Sequence, residues 1–352
     1  MRADVSTPLG DLLSRYTRVR VTDMTNIDIG LFDYDRHNAL YYFILNADEQ
    51  IYMRFGGRDA RGPNVYYDLD SFQLTLQKGL DQHDLYRKGQ LLKKTPRPAP
   101  RFPRDIPLLN EHIIKWGRCV ECHLIDDYDL QEREKAGTLD RRRDMFRFPD
   151  IRRIGINLDI PRGLNVNHAT GPAQAAGMLP GDLIVAIADR PVLTFADLQY
   201  EYNKVDRDAK QVSMTVERSG KSVPLTIDLP SEWWWTDLYY RFLTIEPLVY
   251  FENRPLNAKE KASLGLDPEG FASEITKIDP AADALGIHTL ELGDVVFEVD
   301  GVTKDPQIQN CRLYMKLTKR AGDVIHVEVL RGSKILDLQI NSERQFYRKE
   351  SE

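Results

Sequence analysis

The residues with the clearest chemical potential lie in the stretch WGRCVECHLI, residues 116–125, where two cysteines and a histidine follow the order C-x-x-C-H. This order is typical of segments that carry covalently attached haem, in which the two thiols form thioethers and the imidazole binds the iron. The chain has three cysteines, and two of them, Cys119 and Cys122, are concentrated here. The pattern therefore favours a haem site at Cys119, Cys122 and His123, with His123 as the proximal iron ligand.

Three other interpretations of the same residues stay open. A zinc site would need a fourth ligand, for which His112 is the nearest, and the adjacent positions of Cys122 and His123 are awkward for one tetrahedral ion. A dithiol would use Cys119 and Cys122 as a reducible pair, with Arg118 and His123 favouring the thiolate. In the last interpretation the two cysteines only pack in a core. If haem is attached, the candidate distal ligands are Met145, His112 and His168.

The composition restricts the function classes. The chain has 352 residues, of which 42% are hydrophobic and 29% charged, which is typical of a soluble globular protein of two or three domains. The net charge of −6 argues against nucleic-acid binding. No apolar run approaches the roughly 20 residues of a membrane span. The first residues lack the apolar region of a signal peptide, which favours the cytoplasm, whereas covalent haem would need an oxidising compartment outside it.

Four blocks follow one another along the chain. In residues 9–89, strand-like and helix-like patterns alternate, which is typical of a small α/β unit. Within this block the sequence predicts a strand over 15–24 with Val19 and Val21 on one face, a hairpin over 39–59, and a helix over 71–89. Residues 90–149 contain a proline-rich stretch, 93–107, which predicts an extended linker, and then the C-x-x-C-H segment.

The third and fourth blocks, residues 150–230 and 231–341, repeat one another. Each contains a Pro-Ala pair, a short helix ending at glycine, a Gly-Asp pair, an alternating strand, a helix candidate and a closing hairpin. The hairpin turns are predicted at Ser219-Gly220 and Gly332-Ser333. Cys311 lies in the second helix candidate and is predicted to be a core residue. Three consecutive tryptophans, residues 233–235, are predicted to wedge two domains together.

These repeats resemble the bacterial type of PDZ domain found in high-temperature-requirement proteases. The first copy carries the motif at Pro172, Ala173, Ala176, Gly177, Gly181, Asp182 and Ile184. The second carries it at Pro280, Ala281, Gly286, Gly293, Asp294 and Val296, with one extra residue before its Gly-Asp pair. The resemblance implies a small β-barrel or sandwich capped by helices. No G-x-S-x-G or G-D-S-G motif accompanies it, so we do not expect a serine protease.

A PDZ domain adds an extended peptide as a strand to a sheet edge and holds the C-terminal carboxylate with backbone N–H groups. By resemblance, the carboxylate loop of the first copy is Ile154-Gly155-Ile156-Asn157, and its pocket helix carries Leu198 and Tyr202. In the second copy the loop lies around residues 250–253, lacks the usual glycine and contains Glu252, which would repel a carboxylate. The expected partners are therefore protein or peptide C-termini bound by the first copy. Alternatively, both copies are rigid spacers or internal docking units.

The stretch TDMTNIDIGLFDYDRHNALYYFILNADEQIYMRFGGRD, residues 22–59, is similar to a bacterial family that joins a thioredoxin-like domain to PDZ repeats and includes selenoproteins. CVECH, FRFPDIRRIGINLDI and PLNAKEKASLGL extend the similarity. It implies that residues 9–89 are the C-terminal part of a thioredoxin-like unit. No cysteine precedes Cys119, so the redox pair of a thioredoxin is absent from this sequence. A start assigned downstream of a selenocysteine codon would explain this absence and the missing signal peptide.

The sequence thus predicts an α+β multidomain protein: a partial thioredoxin-like α/β unit, a C-x-x-C-H linker segment and two PDZ domains. The expected function is that of an interaction protein of the bacterial envelope that couples a redox or haem c segment to peptide-binding modules. Its location would be periplasmic if haem is attached and the N-terminus is truncated, and cytoplasmic otherwise. Two alternatives are a pure peptide-binding scaffold with structural cysteines and a thiol–disulfide oxidoreductase whose catalytic half lies outside this sequence. No catalytic residue is assigned.

Overall fold

The computed structural model describes residues 6–91, 98–236, 238, 241 and 243–344. Within them the chain is a mixed α+β protein with several separate sheets. It divides into two compact units, one formed by residues 1–132 and 142–241 and the other by residues 133–141 and 242–352. None of the helices in the described ranges is long and apolar enough to cross a membrane.

The first unit begins with a small block of helices and one hairpin. Its elements are α1 (Pro8–Ser14), β1 (Tyr41–Leu45), β2 (Ile51–Gly56) and α2 (Leu69–Arg87). Asp68 caps α2 by accepting hydrogen bonds from the backbone N–H groups of its first turn. Met53 and Phe55 of the hairpin pack against Phe72 and Leu76 of α2, which forms the core of this block.

The predicted hairpin over 39–59 and helix over 71–89 are therefore confirmed in type and place. The predicted strand over 15–24 is wrong, because residues 17–24 form no strand and Val19 is 83% exposed. Alternation of apolar residues stabilises a strand only where a neighbouring strand and a buried face exist. The thioredoxin-like assignment of residues 9–89 stays a prediction.

The C-x-x-C-H segment follows α3 (Pro107–His112), and its last two residues, Cys122 and His123, begin α4 (Cys122–Ala136). An apolar cluster of buried side chains packs beneath them, formed by Met24, Ile29, Ile106, Leu109, Val120 and Ile125. The predicted linker over 93–107 falls partly on residues 92–97, outside the described residues, and Pro103–Asp105 form a 3-10 turn.

The first repeat follows in the same unit. Its elements are β3 (Ile156–Leu158), β4 (Val166–Ala169), α5 (Gly171–Ala175), β5 (Leu183–Ile187), β6 (Arg190–Pro191), α6 (Phe195–Tyr202), β7 (Gln211–Arg218) and β8 (Lys221–Asp228). A 3-10 turn, Ile151–Ile154, leads into β3. The strands form a pair, β3-β4, and a sheet of order β6-β5-β7-β8.

The second repeat belongs to the other unit. Its elements are β9 (Phe251–Pro255), α7 (Ala258–Ser263), β10 (Ser273–Ile278), α8 (Ala281–Ala284), β11 (Val295–Val299), α9 (Cys311–Thr318), β12 (Val324–Arg331) and β13 (Lys334–Asn341). The five strands form one sheet of order β13-β12-β11-β10-β9. Cys311 is fully buried in the core of this sheet, as predicted.

The two repeats share one topology. Backbone hydrogen bonds from Val166 N to Asp182 O (2.8 Å) and from Gly181 N to Val166 O (2.8 Å) join β4 to the start of β5. The equivalent bonds in the second repeat run from Ile275 N to Asp294 O (2.8 Å) and from Gly293 N to Ile275 O (3.0 Å). With this junction counted, the order β8-β7-β5-β4-β3 matches β13-β12-β11-β10-β9. The two closing hairpins are confirmed, with Ser219, Gly220 and Gly332 at positive φ in their turns.

The three consecutive tryptophans are all buried, at 2%, 2% and 9% exposure for Trp233, Trp234 and Trp235. Trp233 packs on Tyr202 of α6, with ring centroids 4.9 Å apart, and Trp234 packs on Phe146. The chain around them is irregular rather than helical or extended. An irregular backbone lets consecutive side chains point in directions that a regular strand or helix would not allow.

Candidate functional site

In each repeat, a buried aspartate forms an ion pair with an arginine at the end of a neighbouring strand, here called the Asp–Arg corner. Asp182, 1% exposed, accepts hydrogen bonds from Leu179 N (2.9 Å) and from Arg218 Nε and Nη2 (both 2.7 Å). The hydrogen bonds from Arg218 hold the pKa of Asp182 below its ordinary value. This bidentate pair ties the end of β7 to the start of β5, which helps to keep the two strands in register.

The second repeat repeats this arrangement. Asp294, also 1% exposed, accepts from Glu291 N (2.8 Å) and from Arg331 Nε and Nη2 (both 2.8 Å). Burial alone would raise the pKa of Asp294, but the Arg331 guanidinium outweighs it and lowers the pKa. The aspartates were part of the sequence motif, whereas the arginines were missed. The arginines could have been found from their shared position in the two repeats, because each directly precedes the turn of the closing hairpin.

The predicted carboxylate loop of the first repeat is held in a conformation that requires glycine. Gly155 has φ of +87°, and a Cβ built on it would lie 1.8 Å from the carbonyl oxygen of Thr170. The carbonyl of Gly155 accepts a hydrogen bond from Thr170 N at 2.9 Å. Ile154 and Ile156 on either side are fully buried, and Asn157 is half-buried on β3.

Tyr250 occupies the equivalent position of the second repeat. Its carbonyl accepts from Asp279 N at 2.9 Å, and its φ is +55°, so a tyrosine adopts the left-handed conformation there. Glu252, which the sequence led us to expect as a repelling charge, forms an ion pair with Lys277 on the neighbouring strand (2.8 Å). Lys277 thus lies beside the charge that argued against ligand capture, in an exposed pair that solvent and salt screen.

β9 is the last strand of its sheet. Among the described residues it pairs with β10, and no strand adjoins its other edge. Phe251 and Asn253 share one face of β9 because side chains alternate along a strand, and Phe251 is 3% exposed. The amide nitrogen of Asn253 is buried, and within the described residues it has no hydrogen-bond partner. A buried donor without a partner carries a free-energy cost, which a ligand oxygen that reached this face of β9 would remove.

The corresponding helix face of the first repeat is covered. Leu198 and Tyr202, the predicted pocket residues, are both fully buried. Tyr202 contacts Trp233, and burial raises its pKa well above the ordinary value. The N-terminal part of α6 packs against β2 and the residues that follow it, with Phe195 stacked on Tyr66 (centroids 3.3 Å apart). A peptide could reach this face only after that segment moves.

The C-x-x-C-H residues lie at the start of α4. Cys119 is exposed, and Cys122 is half-buried as the first residue of the helix, where it packs against the apolar cluster. The Tyr34 hydroxyl lies within hydrogen-bonding reach of the Cys122 thiol, and burial together with this contact raises the pKa of Tyr34 far above its ordinary value. Burial lowers the pKa of His123, whose imidazole Nδ1 lies 3.7 Å from Glu121 Oε2.

A network of buried and half-buried charges lies beside Tyr34. Arg36 contacts Asp126 at 2.5 Å, and Arg147 contacts Asp33 at 2.6 Å. Burial would raise the pKa of Asp33, but the Arg147 guanidinium lowers it below the ordinary value. Likewise, Arg58 and His37 hold the pKa of buried Asp35 low against the effect of burial. This network could not be predicted from the sequence, because its ion pairs join residues that are far apart along the chain.

Covalent haem attachment at these residues stays a prediction. It needs both thiols and the imidazole to face one haem, so the surroundings of Cys122, which packs against protein side chains beside Tyr34 while Cys119 is exposed, would have to rearrange. Of the candidate distal ligands, Met145 is buried, His112 stacks on Tyr128, and His168 is exposed on β4. In the part of the chain that is described, no three His, Cys, Asp or Glu side chains are grouped to hold a metal ion.

No protein-family model matches the chain. Among solved structures it is similar to the HtrA-type protease AlgW with a tripeptide, at 14% identity and a TM-score of 0.26, covering 47% of this chain and 60% of that one. The same protease with a decapeptide gives 15% identity and a TM-score of 0.23, covering 47% and 56%. The chain thus spans less than two thirds of these proteins. At such TM-scores the likeness carries no argument, and the relation of the repeats to PDZ domains depends on their own motifs and strand order.

Proposed function

We propose that this protein binds extended peptide segments by strand addition through its two PDZ-like repeats. The observation that carries the proposal is the duplicated framework: an Asp–Arg corner, a left-handed loop residue and a first strand with one unpaired edge, followed later by an eight-residue helix. The unpaired edge of β9 offers backbone hydrogen bonds to any extended chain, and Asn253 adds a side-chain donor. The first repeat offers the same framework, with its helix face covered by the chain itself.

The binding test uses the full chain and fluorescent decapeptides that end in an apolar residue, with either a free or an amidated C-terminus. We expect binding of the free-carboxylate peptides, with slower hydrogen exchange of the β9 amides in the complex. Asn253→Asp places a carboxylate where the ligand oxygen would lie and should weaken binding about tenfold, which is about 1.4 kcal/mol. Gln339→Glu, the same charge change on exposed β13 at the opposite sheet edge, is the matched control.

Equal binding by the Asn253→Asp and Gln339→Glu variants, with no change in exchange along β9, would contradict peptide capture at this edge. If amidated peptides bind as tightly as peptides with a free C-terminus, strand addition still holds but the C-terminal carboxylate is not recognised.

A second candidate function is thiol–disulfide exchange at Cys119 and Cys122. It is favoured by the accessible Cys119 and by the Tyr34 hydroxyl beside Cys122, which can hydrogen-bond to its sulfur. Oxidation would form the Cys119–Cys122 bond and pass two electrons and two protons to a disulfide oxidant such as oxidised glutathione. Incubation in glutathione buffers followed by thiol alkylation and mass spectrometry tests this idea. If the pair remains fully reduced in oxidised glutathione, or gives only mixed disulfides, the dithiol function fails.

A further inference from the structure

The face of α6 in the first repeat is occupied by a segment of the same chain, residues 54–58. Thr194 Oγ1 donates a hydrogen bond to the Arg54 carbonyl (2.6 Å), and Gln199 Nε2 donates to the Arg58 carbonyl (2.9 Å). The Arg54 N–H donates to Asp197 Oδ1 (3.1 Å). These contacts use backbone atoms of the segment, so they would be available to any extended chain in the same place.

The Arg54 side chain supplies a specific contact. Its guanidinium carbon lies 3.6 Å from the ring centroid of Tyr200, and Nη1 lies 3.6 Å from Asp197 Oδ1. Asp197 is 7% exposed. A buried carboxylate is stable in its charged form only beside a cation, so this position favours arginine over neutral or acidic residues.

Gly57 supplies the second specific contact. It has φ of +119°, and a Cβ built on it would lie 2.4 Å from the Phe195 ring. The backbone of the segment therefore approaches α6 more closely than any residue with a side chain would allow. The surface selects glycine three positions after the arginine.

We propose that the α6 face of the first repeat is a binding surface for extended peptides with arginine followed three residues later by glycine, and that residues 54–58 fill it as an internal ligand. This inference rests on the proposed peptide-binding function and names the ligand class of its first repeat. A free peptide of this class binds only when the internal segment is released, because both compete for the same donors and the same carboxylate.

The test uses the full chain and a fluorescent, photo-crosslinkable peptide with the sequence of residues 51–60, IYMRFGGRDA. Two variants release the internal segment by independent means. Arg54→Glu places a second negative charge beside Asp197, and Gly57→Leu places a side chain against Phe195. Arg87→Glu, an exposed charge reversal in the last turn of α2, is the matched control. Hydrogen exchange of the α6 amides reports whether the helix face is exposed. Continued protection of the β7 and β12 amides shows that the two repeats remain folded.

We expect both release variants to expose α6 and to bind the peptide at least about tenfold more tightly than the wild type and Arg87→Glu do. Crosslinks should fall on α6. A peptide with glutamate at the position of Arg54, or with leucine at that of Gly57, should not bind. Equal binding by the wild type and the release variants overturns the proposal. So does exposed α6 without binding, or α6 that stays protected in both release variants.

The apolar decapeptide used above separates the two proposals. If it still binds along β9 while the 51–60 peptide does not bind at α6, the internal-ligand proposal fails and the peptide-binding function stands. If neither peptide binds any variant, both proposals fail.

Discussion

Gly155 and Tyr250 hold the same left-handed position in the two repeats, with φ of +87° and +55° and equivalent hydrogen bonds to their carbonyl groups. The second repeat, which lacks the usual glycine as the sequence indicates, therefore holds this left-handed position with a tyrosine. The Tyr250 hydroxyl donates to Glu343 at 3.0 Å, a contact that glycine could not make. The same backbone shape is thus maintained by different means in the two copies.

Gly155→Ala should destabilise the first unit by about 3 kcal/mol or more, because its Cβ would meet the Thr170 carbonyl at 1.8 Å in a left-handed backbone. Gly220→Ala is the matched control, since Gly220 also has positive φ (+75°) but no atom within 4 Å of the built Cβ. It should cost about 1 kcal/mol. Urea unfolding measures both, and equal costs would argue against the tight contact with Thr170.

Asp182→Asn should lower the free energy of unfolding at neutral pH by about 2 kcal/mol, because the charged hydrogen bonds with Arg218 are lost. The lowered pKa of Asp182 means that its stabilisation is present above the unfolded-state pKa near 4 and disappears as the pH falls through the lower folded-state value. The difference between wild type and variant should therefore shrink below about pH 4. A difference that stays constant from pH 7 to pH 2 would contradict this mechanism.

Asp197 should show the opposite pH dependence. Burial raises its pKa to about 6, although Arg54 and the hydrogen bond from Thr194 partly offset this and Glu201 adds to it. The folded state thus favours the neutral form more than the unfolded state does, and the resulting stabilisation is full below about pH 4 and is lost as the pH rises through about 6, above which Asp197 is charged. Relative to Asp197→Asn, the wild type should lose on the order of 3 kcal/mol across this window. Urea unfolding at half-unit pH steps measures it, and parallel pH curves for the two proteins would rule it out.

Tyr202→Phe should stabilise the first unit by about 1 kcal/mol, because the buried Tyr202 hydroxyl has no hydrogen-bond partner within the described residues. Tyr16→Phe is the control with the opposite expected sign, since the Tyr16 hydroxyl donates to the Leu76 carbonyl. Thermal unfolding of both variants tests the pair. A loss of stability in Tyr202→Phe would mean that the hydroxyl is bonded in solution.

The three thiols should react with a disulfide reagent in a fixed order. Exposed Cys119 should react first and half-buried Cys122 more slowly, while Cys311, which is fully buried with its thiol donating to the Val296 carbonyl (3.2 Å), should react only on unfolding. Mass spectrometry of peptides from a timed reaction gives the order. Early modification of Cys311 in folded protein would contradict the described core.

The elements that could be predicted from sequence are those specified by local patterns. The closing hairpins have glycine in their turns, and α2 has a capping aspartate and apolar residues at helical spacing. The strand predicted around Val19 failed because nothing in its own sequence supplies a partner strand. The contacts that cover α6 could not be predicted either, because they join Arg54 to residues 140 and 143 positions away.

The candidate site divides in the same way. Gly155, Asp182 and Asp294 follow from a motif, since each is needed by local backbone geometry. The contact of Tyr34 with Cys122, by contrast, depends on the tertiary fold of two segments that the sequence does not connect.

The close approach of Gly57 to Phe195 also constrains how related chains can vary. If homologues retain the same docking of β2 on α6, position 57 should be glycine wherever position 195 is aromatic. A larger residue at 57 should be accompanied by a small one at 195. Covariation of positions 57 and 195 among natural sequences would therefore reveal this contact, whatever ligand the repeat binds.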